Sequence, residues 1–503
     1  MSLKRNVIAN YLSQIYVSIV GILILPLYIK HMGAEAYGLV GFFTMLQAWF
    51  ALLDLGLTPT IARETARYHG GSISALHYRQ LFRVLSVIFL AIAIIGGTSL
   101  WLMAAPIANK WLQIETLDMN TVLVAVQIMA ISVALRWMGG LYRGVITGSE
   151  CLVWLSCFNA LIATLRFPMV FITMWLYGFT PTVFFWHQLA VAVLEVLVLY
   201  FKCNSLKPIV PTGIAIGWSI KPVKPVFKFA LTIAFTSSVW VLVTQTDKLI
   251  LSGILSLTEY GFFTLAVLVA GGIMILSAPV STVIMPRMAR LHAEGKHDEM
   301  IQVYRSATQL VSVVTGSATL TIAFFAEPLL FAWTGDREIA INAASILTLY
   351  ALGNGVLAVS SFPYYLQYAL GNLRYHLIGN LVTVITLIPA IVWAASEYGG
   401  VGAGWAWFCI NSLYLIFWVG FVHYKIEPGL HYKWLVTDFI RIILLPLIFL
   451  VSFNWLIPKV ENIIFFVLSI FFISLVSLFL ACLSSTFLMS ALKSKLKMYF
   501  NRV

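Results

Sequence analysis

The sequence predicts an all-α integral membrane protein of about fourteen transmembrane helices, built as two related six-helix lobes with pseudo-two-fold symmetry and a C-terminal helix pair. Three observations support this: the composition, the spacing of apolar runs and an internal repeat. Of 503 residues, 61% are hydrophobic and only 10% are charged, whereas a soluble domain carries about 25% charged residues. This composition excludes an ordinary water-soluble fold.

Apolar stretches near twenty residues long recur along the whole chain. Such a stretch, as a helix, crosses about 30 Å of hydrocarbon. Because the number of predicted spans is even, both termini are expected on the same side. The predicted spans are 7–29, 37–57, 84–105, 120–145, 152–176, 182–201, 228–252, 259–285, 306–331, 341–369, 375–395, 402–424, 439–457 and 462–486.

Lys and Arg are strongly biased to one side of these spans. If the N-terminus is cytoplasmic, the outer connections contain only Lys30, Lys110, Lys248, Arg337 and Lys459 of the 31 basic residues. The positive-inside rule therefore predicts that both termini are cytoplasmic. The net charge of +12 is mainly this topology signal. No soluble basic face indicates binding to nucleic acid.

An internal repeat relates the first twelve spans as two sets of six. Tyr37-Gly38 matches Tyr260-Gly261 at an offset of 223, and Gly148 matches Gly371 at the same offset. Six is an even number, so both lobes enter the membrane in one orientation. This parallel-repeat arrangement is typical of transporters that work by alternating access around a site between two lobes.

The repeat and the Pro- and Lys-rich stretch after span six predict the domain boundaries. No segment outside the spans is long enough for a soluble core. The predicted domains are an N-lobe at 1–201, a cytoplasmic linker at 202–227, a C-lobe at 228–424, and residues 425–503 with spans 13 and 14 and a basic tail.

The sequence lacks the signatures of an enzyme. It has no P-loop, and its His, Cys and carboxylate residues show no metal-ligand spacing, so neither a cofactor nor a metal is expected. A glycan polymerase would be expected to carry a large outer loop with clustered acids, bases or arginines. The outer connections here are all short, which favours transport over catalysis.

Three stretches carry a family resemblance: "LPLYIKHMGAEAYGLVGF", "LLDLGLTPTIARETARY" and "TQTDKLILSGILSLTEYGFF". The chain resembles the polysaccharide transporter family, in particular Wzx-type O-antigen flippases of the superfamily that includes multidrug exporters and the lipid II flippase. The resemblance implies that an undecaprenyl-diphosphate-linked oligosaccharide moves from the cytoplasmic to the periplasmic leaflet, with membrane lipids and glycan polymerase machinery as further partners. A multidrug exporter and a lipid II flippase are the alternatives.

Charged residues inside the predicted spans are the first candidates for the site. Arg136 lies within span four and Arg166 near the middle of span five, where lipid exposure would cost about 2.5 to 3.5 kcal/mol. Either they bind the diphosphate in a cationic cavity, or Glu195 in span six pairs with one of them. Pro168 either bends span five and exposes carbonyls, or shapes packing.

Three further basic residues could bind the diphosphate along its path. Lys30 ends span one and Lys248 lies late in span seven, so both could line the cavity. Lysines near helix ends also reach the membrane interface without a further role. Arg63 could hold the headgroup at the cytoplasmic mouth, or only satisfy the positive-inside rule.

Acidic residues inside the apolar spans are few, and they are candidates for coupling or gating: Asp54, Glu195 and Asp247. Asp54 either caps the turn after span two or pairs with Arg63. Asp247 either pairs with Lys248 or binds an ion or proton. An exporter of cationic drugs would need an acidic cavity, so the basic excess favours an anionic cargo.

The stretch "FPYYLQYALGN" supplies the candidate sugar contacts Tyr364, Tyr365 and Gln367. Aromatic rings stack on sugar faces, and the amide can hydrogen-bond hydroxyl groups. The same aromatic residues would equally suit an interfacial belt.

Overall fold

The computed structural model describes residues 3–208, 216–219, 224–454, 463–490 and 493. The described residues form helices joined by short turns, with one isolated parallel bridge between Gln113 and Ser256. Parts of the predicted linker 202–227 and of the predicted basic tail lie outside the described residues. Packing divides the chain into two units, Met1–Gly261 and Phe262–Val503. The domain boundaries inferred from the sequence stay a prediction.

The first unit contains ten helices and the start of an eleventh among its described residues. They are α1 (Leu3–Met32), α2 (Ala34–Phe50), α3 (Leu57–His69), α4 (Ala75–Leu102), α5 (Ala104–Pro106), α6 (Met119–Gly148), α7 (Leu152–Arg166), α8 (Val170–Tyr177), α9 (Pro181–Leu206), α10 (Lys224–Ile254) and α11 (Leu257–Ala293).

The second unit takes the rest of α11 and the remaining described helices. They are α12 (His297–Phe324), α13 (Ala326–Thr334), α14 (Arg337–Ser360), α15 (Phe362–Ala369), α16 (Arg374–Leu413), α17 (Val419–Ile426), α18 (Leu430–Lys433), α19 (Arg441–Asn454) and α20 (Ile463–Ser484). Short π-helical segments join α16 to α17 and α18 to α19.

Twelve helical stretches in the described part of the chain are long and apolar enough to cross a membrane. This confirms the predicted all-α membrane fold. The difference from fourteen has two sources. The predicted span 228–252 corresponds to helix α10, which is not one of the twelve stretches. The single stretch Arg374–Ile426 covers two predicted spans.

The stretch Arg374–Ile426 reverses direction at Gly399, where φ is 58° and ψ is −143°. A Cβ added to Gly402 would lie 1.9 Å from the carbonyl oxygen of Ala394. Eight residues of continuous helix would instead separate such positions by about 12 Å. The chain therefore passes twice here, and each predicted span corresponds to a helical pass.

A buried carboxylate fixes the loop between α5 and α6 to the start of α2. Glu35 accepts backbone N–H bonds from Glu115 at 2.7 Å, Thr116 at 3.0 Å and Leu117 at 3.1 Å. The Thr116 hydroxyl donates to the same carboxylate. One anion thus satisfies three consecutive amides, which secures a connection that has no regular structure.

A second carboxylate organises the C-terminal helix pair inside the second unit. Asp438, fully buried, accepts from Arg305 Nε at 2.7 Å and from Gln309 Nε2 at 2.7 Å. The Gln309 oxygen accepts from the Ser485 hydroxyl at 2.8 Å and the Phe487 N–H at 2.9 Å. This network joins α12 to the segments that begin span 13 and end span 14.

The helices α2 and α11 approach most closely at glycines. A Cβ on Gly38 would lie 2.1 Å from the carbonyl oxygen of Leu257, and one on Gly261 would lie 2.6 Å from that of Ala34. Both obstructing atoms belong to the backbone, which cannot move aside as a side chain can. These two glycines are the ones that the internal repeat aligns.

We expect Gly38→Ala to destabilise the protein by about 1 to 3 kcal/mol, because the methyl group has no space at the crossing. Thermal melting in detergent measures this. Gly271→Ala is the matched control, since nothing lies within 4 Å of its added Cβ. Equal melting temperatures for the two variants would show that the crossing is not tight.

Candidate functional site

Span five is broken in its middle, immediately after a candidate arginine. Helix α7 ends at Arg166 and α8 begins at Val170. Pro168 has no N–H to donate, and its ring crowds the preceding helical turn. Residues 167–169, called the helix break below, therefore leave the α-helical hydrogen-bond pattern: the N–H of Met169 bonds the Thr164 carbonyl at 3.1 Å.

The break frees three consecutive carbonyls, and side chains from neighbouring helices donate to all of them. Leu165 O bonds His187 Nε2 at 2.9 Å, and Arg166 O bonds Gln188 Nε2 at 3.0 Å. The carbonyl of Phe167 accepts from the Tyr28 hydroxyl at 2.9 Å. Backbone polar groups at membrane depth require such partners.

Three arginines and one glutamate meet beside the break. Glu195 on α9 accepts from Arg166 Nη2 at 2.5 Å through one oxygen and from Arg143 through the other. Arg143 also donates to Asn159 Oδ1 at 2.5 Å. The side chain of Glu195 is 7% exposed and that of Arg166 is 11% exposed, so this ion pair lies largely out of solvent.

Arg136 completes what we call the arginine cluster: Arg136, Arg143, Arg166 and Glu195. Its guanidinium carbon lies 5.9 Å from the ring centroid of Phe43, and it interacts electrostatically with the other three charges. Among the described residues it forms no hydrogen bond or ion pair. Three positive charges against one negative charge leave a net charge of +2.

One member of the cluster was missed by sequence reasoning. Arg143 lies near the cytoplasmic end of span four, where a basic residue is expected from the positive-inside rule alone. Arg136 and Arg143 are seven residues apart, which is two helical turns, so both lie on one face of α6. That spacing is the signal that could have identified it. No comparable signal marks Asn159.

The sequence left two alternatives: that the arginines form a cationic cavity, or that Glu195 pairs with one of them. Glu195 pairs with Arg166 and also with Arg143. A single carboxylate cannot neutralise three guanidiniums. The Nε of Arg166 is buried and has no hydrogen-bond partner in the described part of the chain. The cluster thus retains unused donors and positive charge that an anion could take.

Comparison with known proteins now decides the family. Residues 3–292, more than half of the chain, match the sequence family described as "Polysaccharide biosynthesis protein". The chain belongs to this family. The chain is 20% identical over 412 residues to a Shigella flexneri protein named "Putative O-antigen transporter", covering 81% of this chain and 94% of that one. The predicted resemblance to Wzx-type transporters is confirmed.

Solved structures agree on the fold of the polysaccharide transporter. The lipid II flippase MurJ, in an inward closed conformation, superposes with a TM-score of 0.73 at 15% identity, covering 95% of this chain and 97% of that one. An inward-facing multidrug resistance MATE transporter of the MOP superfamily gives 0.64 at 11% identity, covering 82% and 94%. The chain is a multi-pass membrane protein with the multidrug-exporter-like fold.

The other basic candidates of the transporter lie on different elements. Lys30 is exposed in the last turn of α1, and Arg63 is exposed on α3. Lys248 on α10 donates to the Thr244 carbonyl at 2.7 Å and lies 3.5 Å from Asp247. Asp247 is buried and also accepts from the Lys248 N–H at 2.8 Å. Their roles in binding or coupling stay predictions.

Asp54 lies between α2 and α3. Its carboxylate accepts from the Thr58 N–H at 3.2 Å and from the Thr58 hydroxyl at 2.5 Å. This is the geometry of a cap on the first turn of α3. A further role of Asp54 in gating stays a prediction.

The candidate sugar contacts lie in the second unit, on α15. Gln367 is buried; it donates to the Pro363 carbonyl at 3.2 Å and accepts from the His376 N–H at 2.8 Å. The Tyr364 ring lies 4.5 Å from that of His376, and Tyr365 packs against Phe362. The predicted sugar contact is untested. In the described part of the chain, no group of three or more potential ligands could hold a metal ion.

We expect Glu195→Gln to lower the free energy of unfolding by about 3 kcal/mol, because two largely buried guanidiniums lose their shared counter-charge. Chemical or thermal unfolding in detergent measures this. Glu397→Gln, a change of the same kind on an exposed residue of α16, is the control. An unchanged stability of Glu195→Gln would mean that the ion pair is not structurally important.

Proposed function

We propose that this transporter moves undecaprenyl-diphosphate-linked O-antigen or related repeat units from the cytoplasmic to the periplasmic leaflet of the bacterial inner membrane, by alternating access through a cationic cavity. The arginine cluster, with its net charge of +2 at membrane depth, is the observation that supports this most strongly. The distribution of Lys and Arg supports a cytoplasmic position for both termini.

The cluster suits a diphosphate in charge and in geometry. A diphosphate diester carries about two negative charges, and guanidinium groups bind phosphate oxygens through paired N–H donors. Arg143 and Arg166 are held on opposite oxygens of one carboxylate, so their donors already converge on one anionic site. A diphosphate that displaced Glu195 would take over both donors.

Glu195 therefore acts as an internal substitute for the cargo. In the absence of cargo it supplies the negative charge that the guanidiniums require. Once a diphosphate replaces it, the carboxylate is left without cationic partners and favours proton uptake, which would couple transport to protons. Of the three acidic candidates, Glu195 is the one that belongs to the arginine cluster. Asp247, whose carboxylate lies beside Lys248, is the second candidate for coupling.

The oligosaccharide needs a hydrated route, because hydroxyl groups are costly to bury without hydrogen bonds. We assign Tyr364, Tyr365 and Gln367 to that route as sugar contacts, and Lys30, Arg63 and Lys248 as further diphosphate contacts. Residues 1–201 and 228–424 would be the two lobes. Lipid-linked oligosaccharide and membrane lipids are then the partners, with glycan polymerase machinery acting on the product.

The rival functions differ in cargo. A multidrug exporter for cations would need acidic groups free to bind them, whereas Asp54 and Glu195 are both engaged with donors. A lipid II flippase would carry the same diphosphate, so the cluster fits it equally well. The match to the polysaccharide family favours the oligosaccharide cargo.

We expect Arg166→Gln, Arg143→Gln and Arg136→Gln each to reduce surface glycan at least tenfold in cells that lack their own glycan flippase, at equal protein level. Loss of one charge-assisted contact of about 1.5 to 3 kcal/mol explains this magnitude. Arg337→Gln, at an exposed position at the start of α14, is the control.

Normal export by all three cluster variants would show that the arginine cluster does not bind the diphosphate. The diphosphate contacts would then have to lie at Lys30, Arg63 and Lys248. Failure of the unmodified protein to restore glycan would favour the drug-exporter alternative. Restoration of growth in cells lacking their lipid II flippase, without surface glycan, would instead assign lipid II as the cargo.

The membrane potential should drive part of the transport. Each negative charge that crosses gains about 2.3 kcal/mol per 100 mV when the interior is negative. Two charges therefore gain roughly 4 to 5 kcal/mol at a potential of about 100 mV. We expect the rate in proteoliposomes to fall when the potential is clamped at zero. A rate independent of the potential would show that the diphosphate charge is compensated during the crossing.

A further inference from the structure

The helix break is stabilised by donors from two other helices. Tyr28 comes from α1, while His187 and Gln188 are neighbours on α9. Tyr28 and Gln188 are buried. Each of the three freed carbonyls has its own side-chain partner, so the break is a specified feature of the fold rather than a local defect.

Such a break is costly in a membrane. An unpaired carbonyl in hydrocarbon loses several kcal/mol, and a helix without proline would have needed none of these donors. Broken helices at membrane depth are tolerated where backbone is enclosed by protein. Here the break begins at the residue after Arg166. The free-energy cost of the break therefore falls beside the arginine cluster.

Both ends of Arg166 are attached to the same helix. Its carbonyl accepts from Gln188 at 3.0 Å, and its guanidinium donates to Glu195 at 2.5 Å. Gln188 and Glu195 are seven residues apart, so they lie on one face of α9, about 10 Å from each other along the axis. Helix α9 thus holds the main chain and the side chain of this arginine separately.

His187 joins the two halves of the broken span. Its Nε2 bonds the Leu165 carbonyl at 2.9 Å, so this nitrogen carries the proton. In the neutral ring the other nitrogen, 2.8 Å from the Thr173 hydroxyl on α8, then accepts a hydrogen bond. The angle between α7 and α8 is thereby tied to α9 on both sides of the break.

We propose that Tyr28, His187 and Gln188 are positioning residues that hold the helix break and so place the Arg166 guanidinium for the anionic cargo. This inference rests on the proposed function. When cargo displaces Glu195, the side-chain anchor of Arg166 is lost, but the three backbone anchors remain. The arginine then meets the diphosphate from a fixed backbone position rather than a mobile one.

The test is a double-mutant cycle on the full-length protein in detergent, with inorganic pyrophosphate as the probe. The dissociation constant is measured for the unmodified protein, Gln188→Met, Arg166→Gln and the double variant. Gln188→Met keeps the side-chain length and removes the donor. We expect Arg166→Gln to weaken binding at least tenfold and Gln188→Met to weaken it about threefold to tenfold. In the Arg166→Gln background, Gln188→Met should have no further effect.

A smaller change in α1 also tests whether the donors at the helix break position Arg166. Tyr28→Phe removes only the hydroxyl that bonds Phe167 O, and we expect binding to weaken about threefold with little change in melting temperature. Tyr16→Phe is the matched control. Its hydroxyl joins the same two helices, α1 and α7, at 2.7 Å from Thr164 Oγ1, but does not contact a freed carbonyl.

The outcomes distinguish the positioning role of Tyr28, His187 and Gln188 from the proposed function. If Arg166→Gln leaves pyrophosphate binding unchanged, the proposed function loses its site. If Arg166→Gln weakens binding but Gln188→Met and Tyr28→Phe do not, the positioning role is wrong while the function stands. Effects of Gln188→Met and Arg166→Gln that simply multiply would also overturn it, because a residue acting through Arg166 cannot act without it.

Discussion

The carboxylate of Glu195 is the interaction on which the candidate site depends. Three guanidinium groups within one helical hairpin region would repel each other, and at membrane depth water cannot screen that repulsion. One carboxylate that binds Arg143 and Arg166 through separate oxygens lowers this cost without cancelling the charge. In the proposed function, the remaining charge of +2 attracts the anionic cargo. Stability therefore requires Glu195 on the arginines, whereas binding of the cargo requires that it leave them.

The structure uses buried carboxylates for three different tasks. Glu35 collects consecutive backbone amides and secures a loop. Asp438 binds Arg305 and Gln309 and connects the C-terminal helix pair to α12. In these two cases the donors and acceptors are matched, and the networks are structural. Around Glu195, by contrast, the guanidinium donors outnumber the carboxylate oxygens that accept from them. The proposed binding site rests on this excess.

The site belongs to one half of the internal repeat. At the offset of 223 that relates Gly148 to Gly371, Arg136 and Arg143 correspond to the apolar residues Val359 and Leu366. The glycines at the α2–α11 crossing, by contrast, are common to both halves. The repeat therefore accounts for the scaffold, while these two charges belong to the first half.

The sequence by itself determined the all-α membrane fold and the positions of its helical passes, because hydrocarbon thickness and the positive-inside rule act on local composition. It also identified Arg136, Arg166 and Glu195, since charges within apolar runs are conspicuous. Only the tertiary structure decided that Glu195 binds two arginines, that Arg143 is one of them, and that Tyr28, His187 and Gln188 hold the helix break. Which side chains meet across helices depends on helix rotation and packing, and no local pattern in one sequence carries that information.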